Sequence, residues 1–319
     1  MAAPFESPRP PTIRSQFMLE VASELVAPRT FLHQQARIQL RAQGSADSVY
    51  TLSGSDAPSA LDEVGRREID VGIVNPGGPL TMAYRGKGPF SQPIPVRAIT
   101  VIPSRDWLGF AVHESTGLTS LADVKRQKYP LRISLRAQRD HATHLYVNEV
   151  LKAYGFSLSD VVEWGGQISY DASMPVEPLR MGKAQAHEVD AIFDESLTRF
   201  IAPATEAGLR FLPLEEPILQ QMEDLGFRRS VVTRAQFPSL PADVPCLDFS
   251  GWPVFTHADT SEDFVYAFCR ALDARRDRIP YQQPGPLPLE RMCRDTPEGP
   301  LDVPLHPGAE RYWREAGYL

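Results

Sequence analysis

Short β-branched runs alternate with amphipathic helical stretches along most of the chain, and this alternation constrains the fold more than any other feature. Runs at 36–42, 69–75, 96–102, 131–135 and 189–193 read as strands, and stretches at 18–27, 59–66, 141–154, 195–207 and 261–276 read as helices. Strands separated by helices are joined by crossovers, so the expected class is α/β with mainly parallel sheets. The 319 residues, 42% of them hydrophobic, suffice for two cores rather than one. No repeat of solenoid length is present. The proline-rich stretch 280–288 reads as a surface connection, because a helical tail follows it.

Charge and punctuation exclude several function classes. A formal net charge of -7 gives no basic footprint, so no nucleic-acid partner is expected. No apolar run approaches the roughly 20 residues that span a bilayer, so no membrane insertion is expected. Cys246, Cys269 and Cys293 are scattered and form no CxxC pair, which argues for a reducing compartment and against a disulfide framework or structural zinc. Dinucleotide and P-loop fingerprints, a nucleophile elbow and an H-E-x-x-H zinc motif are all absent. Residues 1–11 hold four prolines and an acidic Glu6 with no apolar segment behind them. No export signal is visible there, so the expected location is cytoplasmic, or periplasmic if the sequence is a processed form.

Two extended segments, 107–113 and 251–257, read as crossings between lobes. They make 105–256 one lobe and combine 1–104 with 257–319 into the other. The ordered stretches Glu68-Ile69-Asp70-Val71-Gly72-Ile73-Val74-Asn75-Pro76, 117–125, Val189-Asp190-Ala191-Ile192-Phe193 and His306-Pro307-Gly308-Ala309-Glu310 together resemble the TAXI family of TRAP-transporter solute receptors. That resemblance implies a two-lobed type 2 periplasmic-binding-protein fold with a hinge and an interlobe cleft. It also implies a small carboxylate ligand and a membrane transporter subunit as partner. The chain departs from the family in two loops. Arg14-Ser15-Gln16-Phe17 stands where a Gly-rich opening is usual, and Arg136-Ala137-Gln138-Arg139-Asp140-His141-Ala142-Thr143-His144 replaces a Gly-Ser-Gly-Thr-like loop. Long cationic and imidazole groups in place of glycine change what the cleft can hold, so the family's ligand set does not transfer directly.

In such folds the ligand lies where loops at the carboxyl ends of the strands face one another. That rule selects Ser53, Ser55, Asn75, Arg136, Arg139 and Asp194 as ligand-binding candidates. Ser53 and Ser55 precede a helix that Asp56 would cap, with Pro58 in its first turn; a local cap is the plainer role for such serines. Gly77-Gly78 reads first as a tight turn. Arg136 and Arg139 could hold a carboxylate with forked donors, and Asp140 could cap a helix that puts His141 and His144 on its first turn. Solvated helix-end residues are the bland account of that loop. The two histidines have metal-compatible spacing, with Asp194 or Glu195 available to complete a set, but two histidines are no site and neither metal nor cofactor is expected. Helix capping is the first explanation of Asp194 and Glu195, and proton transfer the second. Trp107, Trp164 and Trp252 read as packing residues, and His306 and Glu310 as anchors of the tail.

Two functions follow. One is a binder that closes two lobes around a small carboxylate. The alternative is a cytosolic lyase on the same fold, to which the stretch from Ile102 to Lys125 is loosely similar through 4,5-dihydroxyphthalate decarboxylase. His141, His144 and Glu195 would then be its catalytic residues.

Overall fold

The computed structural model describes residues 10–26, 35–41, 49–55, 57–279 and 284–319. It contains two compact units, Met1–Gln35 and Ala36–Leu319. In the first, the described element is the helix Pro10–Val26, longer at its start than the 18–27 expected. The second holds β1 (Ala36–Arg41), β2 (Val49–Gly54), β3 (Val71–Ile73), β4 (Val96–Ile102), β5 (Trp107–His113), β6 (Arg132–Leu135), β7 (Gln167–Tyr170), β8 (Ala191–Asp194), β9 (Leu209–Phe211), β10 (Arg229–Val232), β11 (Val244–Asp248) and β12 (Trp252–His257). Among the described residues no helix is long and apolar enough to cross a membrane.

These strands form two sheets. One runs β1-β2-β3-β12-β4, the other β10-β11-β5-β8-β6-β7 with β9 on β5. Among the described residues, the strand pairs β2/β3, β6/β7 and β6/β8 are parallel and the other strand pairs are antiparallel. The sheets are therefore mixed rather than mainly parallel. The strands flanking each passage between lobes, β5 and β12, run antiparallel to their neighbours.

Both faces of each sheet are covered. Alternation along β5 sends Leu108, Phe110 and Val112 into a core with the helices Leu121–Gln127 and Ala142–Ala153, while Trp107 and Ala111 join a second core with the helix Leu197–Glu206. In the first sheet Val71, Ile99 and Val254 pack against the helices Glu262–Arg275 and Pro307–Glu315. Val96 and Phe255 pack on the other face, against Ser59–Gly65 and Gly78–Arg85. Each large side chain buried this way stabilises by about 1.5–3 kcal/mol. The architecture is a two-lobed α/β plan with one mixed sheet in each lobe.

The passages between sheets are short loops, not the strands expected at 107–113 and 251–257. β5 lies wholly in the second sheet and β12 wholly in the first, because each has neighbours there that satisfy its backbone on both edges. The loops are bonded to each other: Phe249 N donates to Asp106 O at 2.9 Å and Gly251 N to Ser104 O at 2.8 Å. The carboxyl-terminal segment straps this hinge. Ser104 N donates to Glu298 O at 2.7 Å, and Arg228 donates to Asp302 at 2.8 and 2.6 Å and to Asp295 at 2.7 Å. The tail motif is structural. His306 caps the last helix through Gly308 N, its own N–H donates to Ala98 O at 2.8 Å, and Trp313 Nε1 donates to Ile99 O at 2.9 Å.

The lobes also meet along the helix Gly78–Arg85. Met82 is fully buried in a core whose other buried members come from the second lobe, with Phe90 packed beside it. A Cβ at Gly78 would lie 2.2 Å from Tyr146 Oη, so close approach of the lobes requires glycine there.

Candidate functional site

β6 and β8 are parallel neighbours with Ser134 opposite Ile192. Two residues further on, the same register carries Arg136 and Asp194 off one edge of the sheet side by side. Arg136 donates to Asp194 Oδ1 from Nε at 3.2 Å and from Nη2 at 3.0 Å, and Nη2 also donates to Glu195. On the far side of Asp194 lies Arg180, fully buried on the helix Pro178–Gln185. It donates to Asp194 Oδ2, to Ser134 Oγ at 3.0 Å and to Ser134 O at 3.1 Å. The charge of Glu195 is felt at Asp106 of the hinge. Asp106 Oδ1 accepts Trp107 N at 2.8 Å and Leu197 N at 2.9 Å.

Burial opposes ionisation of Asp194, but Arg136 and Arg180 on either side hold its carboxyl below the usual range. Glu195 and Asp106 move the other way. Burial raises both; the Glu195 charge raises Asp106 further, and at Glu195 the charge of Asp194 adds to burial while Arg136 partly offsets it.

The helix Ala142–Ala153 is capped by His141 rather than by Asp140, which is exposed. His141 Nδ1 accepts Thr143 N at 3.2 Å and lies 2.8 Å from Thr143 Oγ1. An accepting Nδ1 puts the proton of the neutral ring on Nε2. Burial, with the adjacent Arg136 charge, pushes the ring down to about 3, so it is neutral at ordinary pH. Among the described residues neither His141 Nε2 nor Arg136 Nη1 has a hydrogen-bond partner. Asn75, half-buried after β3, likewise makes no side-chain hydrogen bond with a described residue. The turn that follows it is pinned to the hinge by Gly77 N donating to Ser250 O at 3.3 Å.

Other candidates sit differently. Arg139 is exposed, with its guanidinium 3.4 Å from the Tyr170 ring centre. His144 Nε2 lies 2.9 Å from Gln138 O, so the two histidines are spent on separate local bonds. Among the described residues no group of three His, Cys, Asp or Glu has metal-holding geometry. Ser53 pairs with Gly72, so its buried hydroxyl lies on the Phe255 face of the sheet. Ser55 Oγ accepts Ala57 N at 3.1 Å, a local turn bond. Asp56 lies outside the described residues, and the helix that follows has Pro58 at its cap position with no side-chain bond. Neither Asp194 nor Glu195 caps a helix; Ser196 holds that position. Trp107 and Trp164 pack in the second lobe, and Trp252 is half-buried on β12.

The family model described as the NMT1-like family matches residues 32–317. The chain belongs to the NMT1-like family. This NMT1-like chain is similar to the alkanesulfonate-binding protein SsuA of Xanthomonas axonopodis pv. citri bound to MOPS, at 16% identity over 68% of this chain and 59% of that one, with a TM-score of 0.32. It thus spans less than two thirds of that protein's length. PhnD1 of Prochlorococcus marinus in complex with methylphosphonate matches at 11% identity, 82% and 83% coverage and a TM-score of 0.38. The glycine betaine/L-proline-binding protein ProX of Borrelia burgdorferi matches at 13% identity, 67% and 66% coverage and a TM-score of 0.36. The architecture of the NMT1-like chain rests on its own strand order, independently of these likenesses.

Sequence reasoning passed over Arg180, Ser134 and Asp106. Arg180 carries a readable signal: it shares the buried face of its helix with Met181 and Ala184, where an arginine needs a buried partner. Asp106 has only its place between two apolar runs to mark it.

Proposed function

We propose that this protein is a binder of a small carboxylate, a solute receptor of the TAXI type that closes two lobes around its ligand and hands it to a membrane transporter subunit. The observation that carries this reading is the pair of spare donors beside the hinge, Arg136 Nη1 and the Nε2–H of His141, in a buried site whose other charges are already matched. A carboxylate would accept from both, with the Asn75 amide as a third donor from the other lobe. Arg136 is fixed by Asp194 and Glu195 before any ligand arrives, so little side-chain entropy is lost on binding.

The lyase alternative assigns proton transfer to His141, His144 and Glu195, with His141 the one at the buried centre of the loop. His141 is held neutral well below neutral pH and its Nδ1 is committed to the helix cap, which makes it a poor general acid or base.

Isothermal titration with a panel of aliphatic and aromatic mono- and dicarboxylates, followed by chromatography of the mixtures, tests the reading. Stoichiometric binding without consumption is expected. Asn75→Ala should weaken it roughly ten- to hundredfold, the worth of one hydrogen bond to a charged group. Catalytic consumption of any acid would overturn the proposal, as would a panel in which nothing binds.

A further inference from the structure

One helix fills two cores. On the helix Gly78–Arg85, Leu80 and Ala83 are buried in the core of the first lobe, Met82 is wholly buried in the core of the second, and Phe90 beyond it packs against both. The approach is close along the whole helix. A Cβ built at Gly226 of the second lobe would lie 3.1 Å from Thr81 Cγ2 and 3.3 Å from Met82 N, and Arg85 Nη1 donates to Glu223 O at 3.3 Å. Both cores are packed around the same eight residues, so a rotation that parts the lobes here has to draw the helix out of one of them. The chain decides which. β3 and β4, on either side of the helix, both belong to the first sheet, and Ile94 N donates to Ala83 O at 2.8 Å. The helix stays with the first lobe, and Met82 is the side chain that leaves the second. Its burial favours the closed arrangement by roughly ten- to hundredfold, before the void left in the second core is counted. Arg136 and His141, the donors assigned to the ligand, are 5% and 3% exposed, so a carboxylate finds them largely covered while the lobes are together.

We infer that the helix Gly78–Arg85 is a latch that holds the empty protein closed, with Met82 as its bolt, and that ligand is admitted only to the minor fraction of molecules from which Met82 has withdrawn. No covalent bond changes and no group has to titrate; what opposes opening is apolar surface brought into water. Entry is slowed by the fraction of molecules that are open. Exit is slowed as well, because the loaded protein closes over the same contact.

The admission step rests on the carboxylate reading and the closed empty state does not, so two measurements separate their failures. The three cysteines are buried, which leaves nitroxide labels free to go to Asp62→Cys on the first lobe and Lys152→Cys on the second, both exposed positions. Pulsed electron spin resonance should give one interlobe distance in the empty protein, unmoved when the acid found by titration is added. Met82→Ala should add a second distance, and Met82→Leu, apolar and of similar volume, should restore the single one. Two distances in the empty wild type, a shift on loading, or an unchanged distribution in Met82→Ala would overturn the latch. Stopped-flow mixing with the same acid reads the admission step: association and dissociation should each quicken about tenfold or more in Met82→Ala, and unchanged rates would overturn it. If no acid binds, the carboxylate reading fails and the distances still decide the latch. If Met82→Ala does not fold, the wild-type distances decide alone.

Discussion

Arg136 and Arg139 stand three residues apart with the same side chain, and they occupy opposite environments. Arg136 is 5% exposed and bonded to two carboxylates, so Arg136→Ala takes the cation from Glu195 and leaves Asp194 with Arg180 alone. That loss should cost about 3–5 kcal/mol of stability. Arg139→Ala gives up an exposed cation–π contact worth roughly 0.5–1 kcal/mol. Urea denaturation of the two variants measures both values; equal effects would mean that Arg136 is not held as described. His141 adds a pH signature. Its folded-state value of about 3 lies below the ordinary 6.5, so its contribution is fully present above about pH 6.5 and is lost as pH falls towards 3. The carboxyl pair has the opposite sign, because raised values favour the folded state at low pH and that benefit fades as pH rises. His141→Asn keeps a capping oxygen for Thr143 N and cannot titrate. The melting-temperature difference between wild type and this variant should therefore shrink or reverse between pH 6.5 and 4. A difference independent of pH would contradict a buried neutral imidazole.

At the scale of elements, the helix Gly78–Arg85 joins the lobes by packing rather than by covalent passage. Gly78→Ala would force its methyl into Tyr146 Oη at 2.2 Å and Phe227 at 3.1 Å. Overpacking of this kind should destabilise by about 1–3 kcal/mol. Tyr146→Phe should recover part of that cost by removing the nearest atom, and a double-mutant cycle by thermal melting reads the coupling. Additive effects would mean the two residues do not touch. Some elements were legible in the sequence and others were not, for physical reasons. β4 and β8 carry apolar residues on both faces and announce themselves as near-continuous runs, while β6, Arg-Ile-Ser-Leu, shows a clean alternation. β2, with its Ser-Gly end, and the edge strand β10, starting at Arg229, lack both an apolar run and a clean alternation. That β12 belongs to the first sheet is a non-local pairing with β3 and β4, which no local pattern encodes.

At the scale of the whole molecule, a buried ion cluster lies at the hinge of a two-lobed fold, tied into the crossing loops through Asp106 and flanked by a strap that bonds Arg228 to Asp295 and Asp302. The loop 136–144 was conspicuous in sequence because it concentrates cations and imidazoles. What each one does depends on partners as far away as Arg180 and Asp106, which is why the spare donors of Arg136 and His141 could not be read there. The central claim is that those donors receive a carboxylate. The crystal structure of the protein with the tightest-binding acid of the panel tests it most directly. The account predicts a ligand carboxylate oxygen about 2.7–2.9 Å from Arg136 Nη1, with His141 Nε2 donating to the same group. A ligand seated elsewhere, with both nitrogens left unbonded, would contradict it.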